Sequence, residues 1–469
     1  MSRTNSGADR LLSERPHRLL LRLSVPATAA LLVSSGCGIL DAWFISRLGT
    51  AASGAIGIAF AVNSLIRAIG YTLGTGAASI VSRALGAGDR DTADRFATIA
   101  FFLALLLGGA VTLTGLFLRG TLPRLLGASE TVLPFAQGYL RFLLPAAPLM
   151  CGAFVLEHLL RAEGQVKHAM LGTSVGELVG AALDPLLLFC TPMGISGAAL
   201  ALLSAQAVSF LLLLSRYLFG KTRVSLRPHR PDRLPKRIGQ LTVIGSPSLF
   251  RQGLAGLASA LLLRQARRIG DQATAAAAAV AVNAKIFLVL YSFCLGVGQG
   301  LMPAAGCGIG ADRPRRVLSL SRFALILATA LMLGLSIPTA ILAPRLIALF
   351  RPDGEVVRIG ALMLRAECAV LCFHGIIAVT NMLLQALGKA LPAALIAASR
   401  QGLCFLPTVW LLPRLWGLTG LCLAQAVADA LTLLVTLPFL VAPLRELHRG
   451  TQTAPASNGS TGAVTSTDQ

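Results

Sequence analysis

Charge is scarce in this chain. Asp, Glu, Lys and Arg together make up 13% of its 469 residues, about half the roughly 25% of an ordinary soluble domain. Acids are rarer than bases, 20 against 41, and aromatic residues reach only 6%. The nine cysteines form no CxxC pair and sit in no His-rich spacing, which argues against a zinc or redox centre. Cys368 and Cys372 are i,i+4 on one helix, the mark of two small core residues more than of a site. The GTG at 74–76 is followed by no Lys-Ser/Thr and lies in an apolar stretch, so it is no phosphate loop. No paired acids with metal spacing and no Ser/His/Asp set marks a catalytic loop, and the sequence gives no sign of an enzyme.

What the chain does have is apolar length. Hydrophobic residues make up 55% of it, in runs that recur from Leu19 to Leu440. A membrane-crossing helix needs about 20 such residues. Gly, Pro and charge punctuation divides the runs into twelve predicted helices. They lie near 19–46, 52–82, 93–118, 132–160, 166–190, 194–216, 240–265, 273–306, 317–343, 356–386, 391–412 and 418–442. Several carry internal glycine, as at Gly74 and Gly76 or Gly296, Gly298 and Gly300. In lipid, broken backbone is tolerated only where protein or a polar cavity covers it. The segmentation predicts an N-terminal segment 1–18, a six-helix bundle 19–219, a basic linker 220–239, a second bundle 240–445 and a disordered tail 446–469. The first apolar run is long and lacks a convincing cleavage site, so it reads as a retained helix.

The net charge of +21 would suit a nucleic-acid binder, but the basic residues sit mostly between apolar segments, with no basic helix or aromatic-interleaved patch. They concentrate in the N-terminus and in the connections after even-numbered helices, above all the linker from Arg216 to Arg237. By the positive-inside rule those connections and both termini are cytoplasmic, which leaves no nucleic-acid partner to invoke.

The linker also divides an internal repeat. Ser24–Pro26 answers Gly245–Pro247, and RLG ending at Gly49 answers RIG ending at Gly270. LLRAEG at 159–164 parallels LLQALG at 383–388, and MGISG at 193–197 parallels WGLTG at 416–420. The offset stays between 221 and 224 residues. Six helices per unit insert both halves with the same orientation, an arrangement of secondary transporters whose binding site lies between the halves near the midplane.

In order and spacing, these motifs resemble the MATE (multidrug and toxic compound extrusion) family over about residues 19–442. The telling stretches are LDAWFISRLGTAASGAIGIAF at 40–60 and GTGAASIVSRALGAGD at 74–89. GAS at 127–129, LDPLLLF at 183–189, GISGAALA at 194–201 and GVGQGLMPAAG at 296–306 follow. The resemblance implies an all-α integral membrane protein: two parallel six-helix bundles in a V, working by alternating access. It implies export of amphipathic, often cationic, small molecules, driven by protons or sodium, by a monomer in the bacterial inner membrane. No cofactor beyond the coupling H+ or Na+ is expected. An acid in helix 1, here Asp41, is the mark of the DinF-like bacterial branch.

Acids at bilayer depth are costly and tend to face a partner or a water-filled cavity. The first half places four there: Asp41, Glu157, Glu177 and Asp184. Glu177 and Asp184 are i,i+7 and share a face of helix 5. Either these acids carry the coupling ion, or they make packing hydrogen bonds or sit at an interface. A sodium ion wants an oxygen-rich shell. The usual helix-5 pattern has an Asn where this chain has Gly180, and the usual helix-6 pattern has a Thr where this chain has Leu202. A sodium site at Asp41 and Asp184 thus lacks two oxygens, which Glu157, Glu177 or Ser204 would have to replace, and proton coupling is the simpler expectation.

The second half offers Lys285, Glu367, His374 and Asp429 as cavity or polar-network candidates. Lys285 either neutralises Glu367 or Asp429 or lines a cavity. His374 titrates near physiological pH when unperturbed, but a satisfied core histidine is the plainer reading. Arg251 is expected to snorkel to the cytoplasmic interface. Phe287, Tyr291, Phe293 and Phe373 either line a greasy cavity or pack between helices. Two alternatives stay open beside the exporter: a lipid-linked oligosaccharide flippase, which would need a strongly cationic cavity, and a membrane protein without transport activity.

Overall fold

The computed structural model describes residues 11–227, 233–267 and 272–453. Among them, twelve helical rods of membrane-spanning length follow one another. The first six are α1 (Pro16–Ser46), α2 (Thr50–Gly86), α3 (Arg90–Phe117), α4 (Leu133–Ala162), α5 (Val166–Phe189) and α6 (Ile195–Leu218). The next four are α7 (Leu234–Ala266), α8 (Ala273–Gly310), α9 (Pro314–Phe350) and α10 (Gly354–Ala386). α11 runs over 390–415 with a π-helical turn at Ser399–Leu403, and α12 over 418–453. Between α11 and α12, Trp416 and Gly417 leave helical geometry. At 1.5 Å per residue these rods exceed the ~30 Å hydrocarbon core.

The helix count agrees with the sequence expectation, but some ends do not. α7 begins at Leu234, inside the stretch expected as linker, because Pro235 is well placed in a first helical turn. The last helix continues through Glu446, which pairs with Lys389, so 446–453 are helical where a disordered tail was expected. Residues 454–469 lie outside the described residues.

The repeat is written into the backbone. Gly194 and Gly417, at matching places in MGISG and WGLTG, have φ/ψ of 52°/−129° and 53°/−128°, a conformation only glycine adopts readily. Gly164 and Gly388, which end LLRAEG and LLQALG, have φ of 79° and 74°. Each half forms its own bundle, and the two touch mainly through α1 against α8, α2 against α7 and α2 against α8. The last of these is reciprocal. A Cβ on Gly86 would overlap the Cys307 carbonyl, and one on Gly310 would overlap the Arg83 carbonyl. Gly76 lies against the Leu241 carbonyl, Gly245 against Thr72, and Gly296 and Gly300 against Thr28 and Ser24. The hydroxyl pairs Thr75–Ser248 (3.0 Å) and Ser35–Ser292 (3.2 Å) cross between the bundles.

These contacts gather toward the end where α1 begins and α2 and α8 finish. Toward the other end, Cβ positions at Gly36, Gly38, Gly57 and Gly253 meet nothing within 4 Å. The packing is that of a V closed at the end bearing the N-terminal segment. That segment reinforces the closure: Leu11 is buried, and Arg316 of α9 donates to the Leu11 and Glu14 carbonyls.

Candidate functional site

Two groups of polar side chains lie inside the bundles. In the first bundle, Asp41 on α1 and Asp184 on α5 bring their carboxyl groups into mutual hydrogen-bonding reach. Such a contact needs a proton on one of the two, since two carboxylates offer only acceptors. Pro185 inside α5 follows Asp184 directly and removes one backbone donor there, and Gly36 and Gly38 sit on α1 just before Asp41, within helices that run on unbroken. Tyr139 of α4 lies within electrostatic range of both acids.

Glu177, further along α5, accepts from the Ser34 hydroxyl at 3.4 Å and feels both Asp41 and Glu157. Glu157 on α4 is buried and accepts from Arg161, one turn on. Arg67 of α2 lies within range of Glu157 and Glu177. All four predicted acids therefore join in one chain of interactions, from Asp184 through Asp41, Glu177 and Glu157 to Arg161. Gly180 stands apart from it: a Cβ there would lie 2.8 Å from that of Ala205, so the position seats α5 against α6. The Ser204 hydroxyl donates back to the Leu200 carbonyl at 2.9 Å.

The second bundle holds a different network. Asp429 on α12 is fully buried and lies 3.1 Å from Arg400 Nε, 3.1 Å from His374 Nε2 and 3.1 Å from Gln425 Nε2. His374 Nε2 is also 3.1 Å from Arg400 Nη2. A neutral imidazole can accept from Arg400 or donate to Asp429 through this nitrogen, but not both. Phe287 and Tyr291 stack on each other, and the guanidinium of Arg400 lies beside them, 5.2 and 4.7 Å from their ring centroids. Phe293 and Phe373 belong to apolar clusters.

Several expectations change here. Among the described residues Lys285 forms no ion pair: Asp429 is taken by Arg400 and His374, and Glu367 is hydrogen-bonded with Asn283. Arg251 does not snorkel. It sits midway along α7 and lines two cavities, so its charge points between the bundles. Arg400 was missed altogether, as a lone base inside an apolar helix. The signal was a charged residue at bilayer depth, and the π-helical turn that carries it is a frequent companion of functional sites.

The two cavities share Arg251 and Met382. The first lies between the bundles and is lined by Thr75, His158, Arg161 and Gln299 among others. The second is lined by Tyr291, Asn381 and Arg400. Neither has an acid in its lining. The wall between the bundles is thus basic, with the first-half acids one layer behind.

A known family accounts for both bundles. The MatE family model matches residues 26–186 and 247–411, in two pieces that fall one in each bundle. The chain belongs to the MATE family. It is a multi-pass membrane transporter and not an enzyme. This MATE protein is 28% identical over 436 residues to a Shewanella oneidensis protein named an FAD transporter, covering 90% of this chain and 93% of that one. It is 24% identical to the Staphylococcus aureus multidrug export protein MepA, covering 90% and 92%. Among solved structures, an outward-facing multidrug resistance MATE transporter superposes with a TM-score of 0.89 at 22% identity, over 96% of this chain and all of that one.

Proposed function

We propose that this MATE transporter is a proton-driven antiporter that exports amphipathic organic compounds by alternating access. The observation that carries the reading is the facing pair Asp41 and Asp184 at the head of a chain of carboxyl groups ending on Arg161 at the inter-bundle cavity. Two carboxyl groups in contact in low dielectric hold one proton between them, because both cannot ionise cheaply. A second proton from outside discharges the pair, and its release inside restores the charge. Glu177 and Glu157 relay that change to the Glu157–Arg161 contact, and so to the cavity wall. Sodium is disfavoured because Gly180 and Leu202 supply no side-chain oxygen and the Ser204 hydroxyl is engaged with its own helix.

The acid in α1 supports a place in the DinF-like bacterial branch. The bacterial inner membrane, cytoplasmic termini and a monomer as the working unit complete the proposal. Relatives named for multidrug and FAD transport support an organic substrate. The basic cavity lining is the feature that favours a lipid-linked oligosaccharide flippase; the two-piece MatE match stands against it.

Substrate movement in proteoliposomes tests the reading. Asp41→Asn and Asp184→Asn proteins that elute as the wild type does should lose pH-gradient-driven transport. Full transport by both variants would end the proposal.

A further inference from the structure

The charges around the cavities do not balance. Arg161 is 5% exposed; one side of its guanidinium pairs with Glu157, while its Nε is buried without a hydrogen-bond partner. Arg400 is matched by Asp429. Arg251 makes no ion pair or hydrogen bond among the described residues, yet it lines both cavities. With no acid in either lining, one full positive charge at bilayer depth is left uncompensated. An unpaired charge there is costly. It persists most readily where a ligand of opposite sign completes it.

The rest of the lining fits a small organic molecule. Each cavity is lined mostly by apolar side chains with a few polar groups, as ligand sites are. Met302 and Met382 offer adaptable apolar surface, and the ring of Tyr291 offers a stacking face. Gln299 brings a buried amide oxygen without a partner. We propose that the joined cavities bind an amphipathic organic anion, its acidic group on Arg251 and Arg161 and its apolar body toward Met382 and Tyr291. This rests on the transporter reading and specifies its substrate class. It departs from the cationic substrates expected from sequence resemblance.

An anionic lipid headgroup shares the same chemistry, and the test separates the two. The full chain in phosphatidylcholine nanodiscs is titrated at equilibrium, without a gradient, with riboflavin 5′-phosphate, uncharged riboflavin and ethidium. Riboflavin and its phosphate ester share one ring system, so their difference reads the acidic group. A charge-assisted contact of about 1.5 kcal/mol or more predicts at least about tenfold tighter binding of the phosphate ester. Arg251→Gln should remove that preference and Arg251→Lys should keep part of it, both in proteins that elute as the wild type does. Because the titration uses no gradient, a failure of proton-driven transport would leave this binding result standing. Equal binding of ester and riboflavin, tighter binding of ethidium, or an Arg251→Gln protein that keeps the preference would overturn the proposal. Loss of ester binding in phosphatidylglycerol-rich nanodiscs would assign the site to lipid and overturn it as well.

Discussion

Asp429, Arg400 and His374 show how a residue can be placed by a partner and not by its own helix. A charge buried in the second bundle is stable only while its counter-charge stays. Arg400→Met or Asp429→Leu alone should destabilise the protein by about 3–5 kcal/mol, because each leaves the other charge buried. Joining the two changes in one protein should recover most of the loss. Thermal unfolding in detergent checks this; a double variant no better than the worse single one would show that the contact is not what holds Arg400. At this scale the sequence was only half legible. The four first-half acids could be named because charge at bilayer depth is rare, and the structure joins them. The pairing of Asp429 could not, since it depends on which of three helices turns a base toward α12. Arg251 was misplaced for a similar reason: position along a helix does not say which neighbour the side chain faces.

At the scale of elements, the glycines of α2, α7 and α8 let helices approach to backbone contact. Gly86 and Gly310 sit at the reciprocal crossing where any Cβ meets a carbonyl of the other bundle. Gly86→Ala or Gly310→Ala should therefore disfavour the closed end by the ~1–3 kcal/mol typical of overpacking. Spin labels on the two bundles near that end should report longer distances in the variants. Unchanged distances would mean that the crossing does not govern closure. The sequence marked Gly74, Gly76, Gly296, Gly298 and Gly300 as glycines inside helices, but the crossing at Gly86 and Gly310 was legible only in the structure. Just beyond α4, Glu163 accepts from the Arg223 backbone N–H at 2.9 Å and pins the linker. Burial pushes its carboxyl up to about 7, partly offset by hydrogen bonds from the Arg223 and Val224 backbone. The unfolded group ionises near 4.5 and the folded one near 7. The folded state thus binds the extra proton between those values, and stability falls as pH rises through that window. The protection of the 221–227 amides, measured against their intrinsic exchange rates, should fall between pH 5 and about 7 in the wild type and not in Glu163→Gln. The same pH profile in both would detach the effect from this residue.

For the whole molecule, the central claim is that a proton gradient moves substrate through the V, with the first bundle's carboxyl chain as the coupling element and the two joined cavities as the path. The overall architecture was legible in apolar runs, repeat and charge distribution, because a membrane permits few ways of satisfying a backbone. The polarity of the cavity was not legible, since it depends on which faces of α2, α4, α7 and α11 meet. Restoring oxygens by Gly180→Asn is also a poor route to sodium coupling, because the new side chain would collide with Ala205. Coupling is best tested on the wild-type protein itself. Purified protein in liposomes, given a pH gradient alone or a sodium gradient alone, should move riboflavin 5′-phosphate only with the pH gradient. Movement driven by sodium alone, with none driven by the pH gradient, would contradict the account.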